Sequence, residues 1–224
     1  MPVVTRQVRT DHNAAMNPRA LRFLLWTTIL VSVSVAVAVA QDGLYAPQVP
    51  GDAALVRVVN LRADGASSRI DIGAVRFPPL EPGEITPYRS VPAGVYMVGG
   101  RAAGITFSPQ QGSFVTVVVT PDGSLRLVTD EAHRDPARAQ LVFYNFGTGV
   151  ASLVSRDPAA AIFSEVPAGE VRTRAVNAIS VDLAVDSGDR ERYRGALELE
   201  RGESYSVFVT PEDVFVRTAS VSTE

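Results

Sequence analysis

The sequence predicts an all-β protein: two tandem antiparallel, Ig-like β-sandwich domains behind an export signal. Three observations carry that expectation. Apolar residues alternate with polar ones at the strand period, and no stretch after residue 40 shows the helical one. Turn signals recur roughly every 8–12 residues, the rhythm of a sandwich. Stretches of the first half also reappear, in order, in the second. Leu55-Val56-Arg57-Val58-Val59-Asn60 pairs with Leu141-Val142-Phe143-Tyr144-Asn145, Val91-Pro92-Ala93-Gly94 with Val166-Pro167-Ala168-Gly169, and Ser113 to Asp122 with Ser204 to Glu212, at offsets of 85, 75 and 91 residues. Two copies are too few for a solenoid, which stacks three or more.

Residues 1–40 read as a signal peptide. Arg19 and Arg22 precede an apolar run of 18 residues, Phe23 to Ala40, ending in Ala38-Val39-Ala40. Small residues at those two positions suit signal peptidase, so the exported chain would begin at Gln41. The polar stretch ahead of the arginines is long for such a signal, which makes Met16 an alternative start. An uncleaved anchor is the competing reading, since a run of this length just reaches across a bilayer.

Residues 41–129 form the first predicted domain, with Leu44 to Pro50 as an extended, proline-bearing lead-in. Residues 130–139 (Asp-Glu-Ala-His-Arg-Asp-Pro-Ala-Arg-Ala) are charged and poor in apolar side chains, the composition of a linker. Residues 140–224 form the second domain, closing on a small polar tail from Ala219 that is expected to fray. Phe114 to Val119 and Val207 to Val209 are nearly continuous β-branched or aromatic runs, as central strands are. Pro121-Asp122-Gly123 and Pro211-Glu212-Asp213 turn the chain after them. Val181, Leu183 and Val185 share one face of a strand and Asp182 and Asp186 the other. Each Val-Pro-Ala-Gly ends a loop and launches a strand, because proline cannot donate to a ladder and glycine accepts positive φ. Domains of about 80 residues are marginal alone, so they are expected to pack against each other or a partner.

Composition excludes several functions. There is no cysteine, hence no disulfide scaffold, thiolate metal site, cysteine nucleophile or lipid-anchoring cysteine. Lysine is absent too, and removing residues 1–40 takes away four arginines and one aspartate, moving the formal charge from −3 to −6. That balance argues against nucleic-acid or polyanion binding by bulk charge. Histidine occurs at His12, in the signal segment, and at His133, in the linker. Ser204, in Gly202-Glu203-Ser204, resembles the start of a nucleophile elbow, but Ser206 replaces the final glycine and no α/β context strains the turn. Glu198 and Glu200, two apart on a strand, stand some 7 Å from each other, near the spacing of glycosidase carboxylates. Alternation with Leu197 and Leu199 explains them as the wet side of a sheet. Asp186 to Glu191 lacks the ligand spacing of a calcium loop and reads as a hairpin tip. The only tryptophan, Trp26, lies in the signal segment. Tyr96, Tyr144 and Tyr205 fall on core positions, and Tyr45, Tyr88 and Tyr193, the exposed candidates, are too scattered for a sugar-stacking platform. No catalytic, cofactor-binding or metal-ligating residue is assigned.

Leu44-Tyr45-Ala46-Pro47, then Val56-Arg57-Val58-Val59-Asn60, then Val91-Pro92-Ala93-Gly94-x-Tyr96 resemble the AlgF family. So do Val176-Asn177, Val181-Asp182-Leu183-Ala184 and Leu199-Glu200-Arg201-Gly202-Glu203-Ser204-Tyr205-Ser206-Val207. The resemblance spans essentially the whole exported chain, though no single motif is diagnostic. It implies a periplasmic accessory protein of alginate O-acetylation, without catalytic residues of its own, serving a membrane acyltransferase and periplasmic acetyltransferases. Relatives of that kind also serve cellulose acetylation, so the polymer stays open. A secreted or surface Ig-like module binding polysaccharide or protein is the alternative.

Overall fold

The computed structural model describes residues 51–99 and 104–222. The signal segment and the lead-in with Tyr45 lie outside the described residues. The expected all-β class holds: every regular element among the described residues is a strand. The first half contains β1 (Ala53–Asn60), β2 (Asp71–Ile72), β3 (Val75–Arg76), β4 (Arg89–Pro92), β5 (Tyr96–Val98), β6 (Ile105–Phe107), β7 (Phe114–Val119) and β8 (Leu125–Asp130). The second contains β9 (Ala139–Asn145), β10 (Ala151–Asp157), β11 (Ala159–Val166), β12 (Val171–Val176), β13 (Ser180–Ser187), β14 (Arg190–Glu198), β15 (Ser204–Val209) and β16 (Val214–Thr218).

The halves share one strand order. The first builds a sheet β4-β1-β7-β8, the second a sheet β12-β9-β15-β16. Among named strands, pairing is antiparallel except for β1 with β7 and β9 with β15, which run parallel in both halves. What covers each sheet differs. In the first half the short ribbons β2-β3 and β5-β6 close the core, with Ile72, Phe77, Val98 and Phe107 packed on Val56, Val58 and Val117. In the second a full sheet, β11-β10-β13-β14, supplies Leu153, Leu183 and Val185 to meet Leu141, Phe143 and Val207.

The other faces of the two like-ordered sheets meet one another. Val59, Leu61 and Val118 from the first half pack with Val142, Tyr144, Phe146 and Phe208 from the second. β1 and β9 are therefore buried along their whole length, on both faces. This is why their sequences read as continuous apolar runs and do not alternate. Asp130 closes β8 and Ala139 opens β9, both buried, so the charged segment between strands is 131–138.

Strand register corrects two of the sequence equivalences. Leu55 pairs with Phe114 and Gln140 with Ser204, so Thr116 is equivalent to Ser206 and the offset along this strand is 90, not 91. The partner of Pro167-Ala168-Gly169-Glu170 is not Pro92-Ala93-Gly94 but Glu81-Pro82-Gly83-Glu84. Gly83 N–H donates to the Asn60 carbonyl at 2.8 Å and Gly169 N–H to the Asn145 carbonyl at 2.6 Å. Asn60 N–H donates to Glu84 and Asn145 N–H to Glu170. The two asparagines hold these loops alike. The Asn60 amide donates to the carbonyl of Leu80 at 2.9 Å, and that of Asn145 to the carbonyl of Val166 at 2.8 Å.

The glycines follow the same division: Gly83 and Gly169 both have φ of 82°, whereas Gly94 is not in the positive-φ region. A Cβ at Gly169 would also stand 2.8 Å from Arg126 Nη1, while one at Gly94 would meet only the Tyr96 side chain. Gly169→Val is therefore expected to cost about 1–3 kcal/mol and Gly94→Val clearly less. Thermal melts of the two variants check this, and equal losses would contradict the register argument.

The tail does not fray as expected through Ser222. Val221 bridges Tyr88 in parallel, Tyr88 N–H donates to Ser220 O, and Ser222 N–H donates to Tyr88 O, both at 2.8 Å. The end of the second half is thus tied to the first.

Candidate functional site

A buried polar constellation lies in the seam between the two like-ordered sheets. β1 must place alternate side chains on its two faces. Val56 and Val58 face the first core, so Arg57 faces the seam, where it is only 1% exposed. Its Nε donates to Thr116 Oγ1 at 2.8 Å, and its Nη2 to Tyr144 OH at 2.7 Å and Ser206 Oγ at 2.9 Å. Thr116 and Ser206 are the equivalent residues of β7 and β15, so the guanidinium is gripped by the same position of both halves. Its plane lies over Tyr88, with Cζ 4.6 Å from the ring centroid, a contact worth about 2 kcal/mol when desolvated.

The charge is balanced through hydroxyl groups. Thr116, Tyr144 and Tyr88 each donate to the carboxylate of Asp130. A hydroxyl that accepts from Arg57 still has one proton to give, so Thr116 and Tyr144 relay the guanidinium to the carboxylate. Burial works against the Arg57 charge, but the phenol oxygens of Tyr144 and Tyr88 and the Asp130 carboxylate outweigh it and raise its pKa. Burial pushes both phenols up, with Asp130 adding to the shift and the nearby guanidinium opposing it. Both tyrosines therefore stay protonated and able to donate. Arg57 Nη1 has no hydrogen-bond partner among the described residues. The arrangement can join two sheets, but its members are 8% exposed or less and offer no face to a substrate.

The residues weighed for chemistry lie apart from that network. Ser204 donates its hydroxyl to Gln140 Oε1 at 2.8 Å, and His133 Nε2 lies 3.0 Å from the Arg138 carbonyl oxygen. Each has a structural partner, and neither is the other's. Ser206, placed in the elbow comparison, is buried against Arg57. Glu198 closes β14 and Glu200 lies beyond it, both exposed. The two ends of the 186–191 tip are occupied by Arg156, whose Nη2 meets Asp186 at 2.7 Å and Glu191 at 3.1 Å. No cluster of potential metal ligands occurs among the described residues.

Tyr144 and Tyr205 are buried in cores as expected; Tyr96, expected in the core, packs half-buried against that of the first half, and Tyr193, expected as an exposed candidate, packs half-buried against that of the second. Tyr88, expected as an exposed candidate, is 5% exposed. It is taken up by Asp130, by Arg57 and by an edge-on contact with Phe114, ring centroids 5.3 Å apart. The signal for this site was one arginine inside an otherwise apolar strand. A lone charge in such a run needs a buried partner, but nothing local says which.

A family model described as alginate O-acetyl transferase AlgF matches residues 28–206. The alginate biosynthesis protein AlgF of Pseudomonas putida is 25% identical over 178 residues, covering 78% of this chain and 81% of that protein. The AlgF of Pseudomonas syringae pv. tomato is 23% identical over 170 residues, covering 75% and 76%. A solved C-terminal domain of AlgF from P. aeruginosa is 20% identical, covers 37% of this chain and 97% of that one, and has a TM-score of 0.33, too low to bear on fold or role.

Proposed function

The chain belongs to the AlgF family, and on that premise we propose that it is a non-catalytic periplasmic adaptor required for O-acetylation of an exopolysaccharide, most naturally alginate. It would act beside a membrane acyltransferase and periplasmic acetyltransferases that carry the acyl-transfer chemistry. Its relatives are named as alginate biosynthesis proteins. The observation that supports the adaptor reading is the pairing of Ser204 with Gln140 and of His133 with a backbone carbonyl. General-base activation of a hydroxyl requires a base within about 3 Å, itself held by a partner. Here both groups are spent on local structure. The two halves, joined through a common core, present a single body with several sheet edges, which suits a protein acting through surfaces.

Deleting the gene in its host should abolish ester acetyl on the purified exopolysaccharide, and unchanged acetylation would sink the reading. Complementation with the double variant His133→Ala, Ser204→Ala should restore acetylation to near the wild-type level, provided the protein accumulates. The purified chain should not hydrolyse a small activated acetyl ester above a boiled control. Turnover lost in His133→Ala with the circular dichroism unchanged would instead place catalysis here.

A further inference from the structure

The second half has an open groove of about 270 Å³ where its two sheets part, between β11 and β12. Ala160, Ala161 and Ile162 of β11 form one wall and Val176 and Ile179 contribute to the other. Resting on the adaptor reading, we propose that this groove and the free edge of β11 bind an extended segment of a partner protein, one carrying a carboxylate beside a small apolar side chain.

Four observations lead there. First, β11 is the outermost strand of its sheet, with only β10 beside it. Second, the first six residues of this strand lack the charges that keep such edges from pairing. Ala159 to Ser164 contains none, and Ala159, Ala160 and Ala161 are all exposed. The opposite edge of the same sheet, β14, carries Arg190, Glu191, Arg192, Arg194 and Glu198. Register shifts beyond Ala161 confine the regular edge to Ala159–Ala161, so the segment recognised is short. Third, the groove's lining includes Arg138 and Arg174 and no carboxylate, in an otherwise acidic chain. Arg174 Nη1 holds the Ile162 carbonyl at 3.0 Å, which fixes its head beside the edge. Fourth, Ser155 faces inward from β10 into the groove lining, 6% exposed, and its hydroxyl has no partner among the described residues. Buried hydroxyls are normally satisfied, so this one leaves hydrogen-bonding capacity unused at the base of the groove.

These parts match strand addition. Main-chain hydrogen bonds run along Ala159–Ala161, an apolar side chain enters between Ala160 and Val176, and a carboxylate meets the arginines. The lining has no aromatic side chain on which a sugar ring could stack, which favours a peptide over a polysaccharide.

The test uses a capped peptide of alternating valine and glutamate as the probe, and its lysine counterpart as control. Both are titrated into the full exported chain, labelled with ¹⁵N. The acidic probe should shift the amides of residues 159–162 and 174–179 and bind at least about tenfold more tightly than the lysine form, as charge complementarity requires. Ala160→Arg, which fills the groove from an exposed position on the same face as Ser155, and the double variant Arg138→Glu, Arg174→Glu should each weaken it about tenfold. Shifts that fall elsewhere, equal binding of both peptides, or shifts produced by a uronate oligosaccharide and not by the peptide would overturn the proposal. In the host, either variant at wild-type abundance should lower polymer acetylation several-fold. If gene deletion abolishes acetylation but both groove variants keep it, the groove proposal fails and the adaptor reading stands. If deletion changes nothing, the adaptor reading fails and the titration alone judges the groove.

Discussion

Replacing Asp130 with alanine is expected to lower the unfolding free energy by about 3–5 kcal/mol, because it strands a buried charge. Asp130 is 8% exposed and receives hydrogen bonds from Thr116, Tyr88 and Tyr144. Without it, Arg57 keeps only hydroxyl oxygens and the Tyr88 and Tyr144 rings, and three hydroxyl protons lose their acceptor. The double change Arg57→Met, Asp130→Leu removes both charges and leaves apolar groups in their place, so it should be more stable than Asp130→Ala alone. Urea denaturation followed by circular dichroism measures both. A loss under about 1 kcal/mol for Asp130→Ala would show that the hydroxyl groups and the cation–π contact suffice to hold the guanidinium.

Phe208→Ala is expected to cost about 3–5 kcal/mol, as large core truncations do. Phe208 is fully buried and stacks on Tyr144 with centroids 4.4 Å apart and on Phe215 at 5.2 Å. It also faces the seam and not the core of its own half. The size of the loss and the shape of the transition therefore report different things. If the shared core couples the halves, the variant still unfolds in one step at lower urea. Two resolved steps would mean that each half stands on its own core and the seam contributes little to cooperativity. A loss no larger than a surface change would mean that the seam repacks around the gap.

Strand positions were largely legible because local rules set them. Val181, Leu183 and Val185 alternate with Asp182 and Asp186, and they do face the core, with Asp182 paired to Arg194 outside. Pro121-Asp122-Gly123 turns β7 into β8 through Gly123 at φ 81°. The matching tetrapeptides misled for a physical reason. Val91-Pro92-Ala93-Gly94 and Val166-Pro167-Ala168-Gly169 share letters. What makes two loops equivalent is the backbone pattern around Asn60 and Asn145, and that pattern selects Gly83. Tyr88 was misplaced because its neighbours Pro87 and Arg89 look like a surface loop, while its burial comes from Asp130 and from the tail around Val221.

By itself, the sequence determined the all-β class, strands such as β7, β13 and β15, the turns after Pro121 and Pro211 and, through the order of its motifs, the AlgF family. Those follow from periodicity, backbone restriction at proline and glycine, and residue order, all of which act within a few positions or along the whole chain at once. Only the tertiary structure decided that the halves share a core and that Arg57 closes it, since its partners stand 59, 87 and 149 residues away. A strand buried on both faces looks the same whichever layer covers each face. The choice is made when two sheets meet and every buried polar group must find its partner.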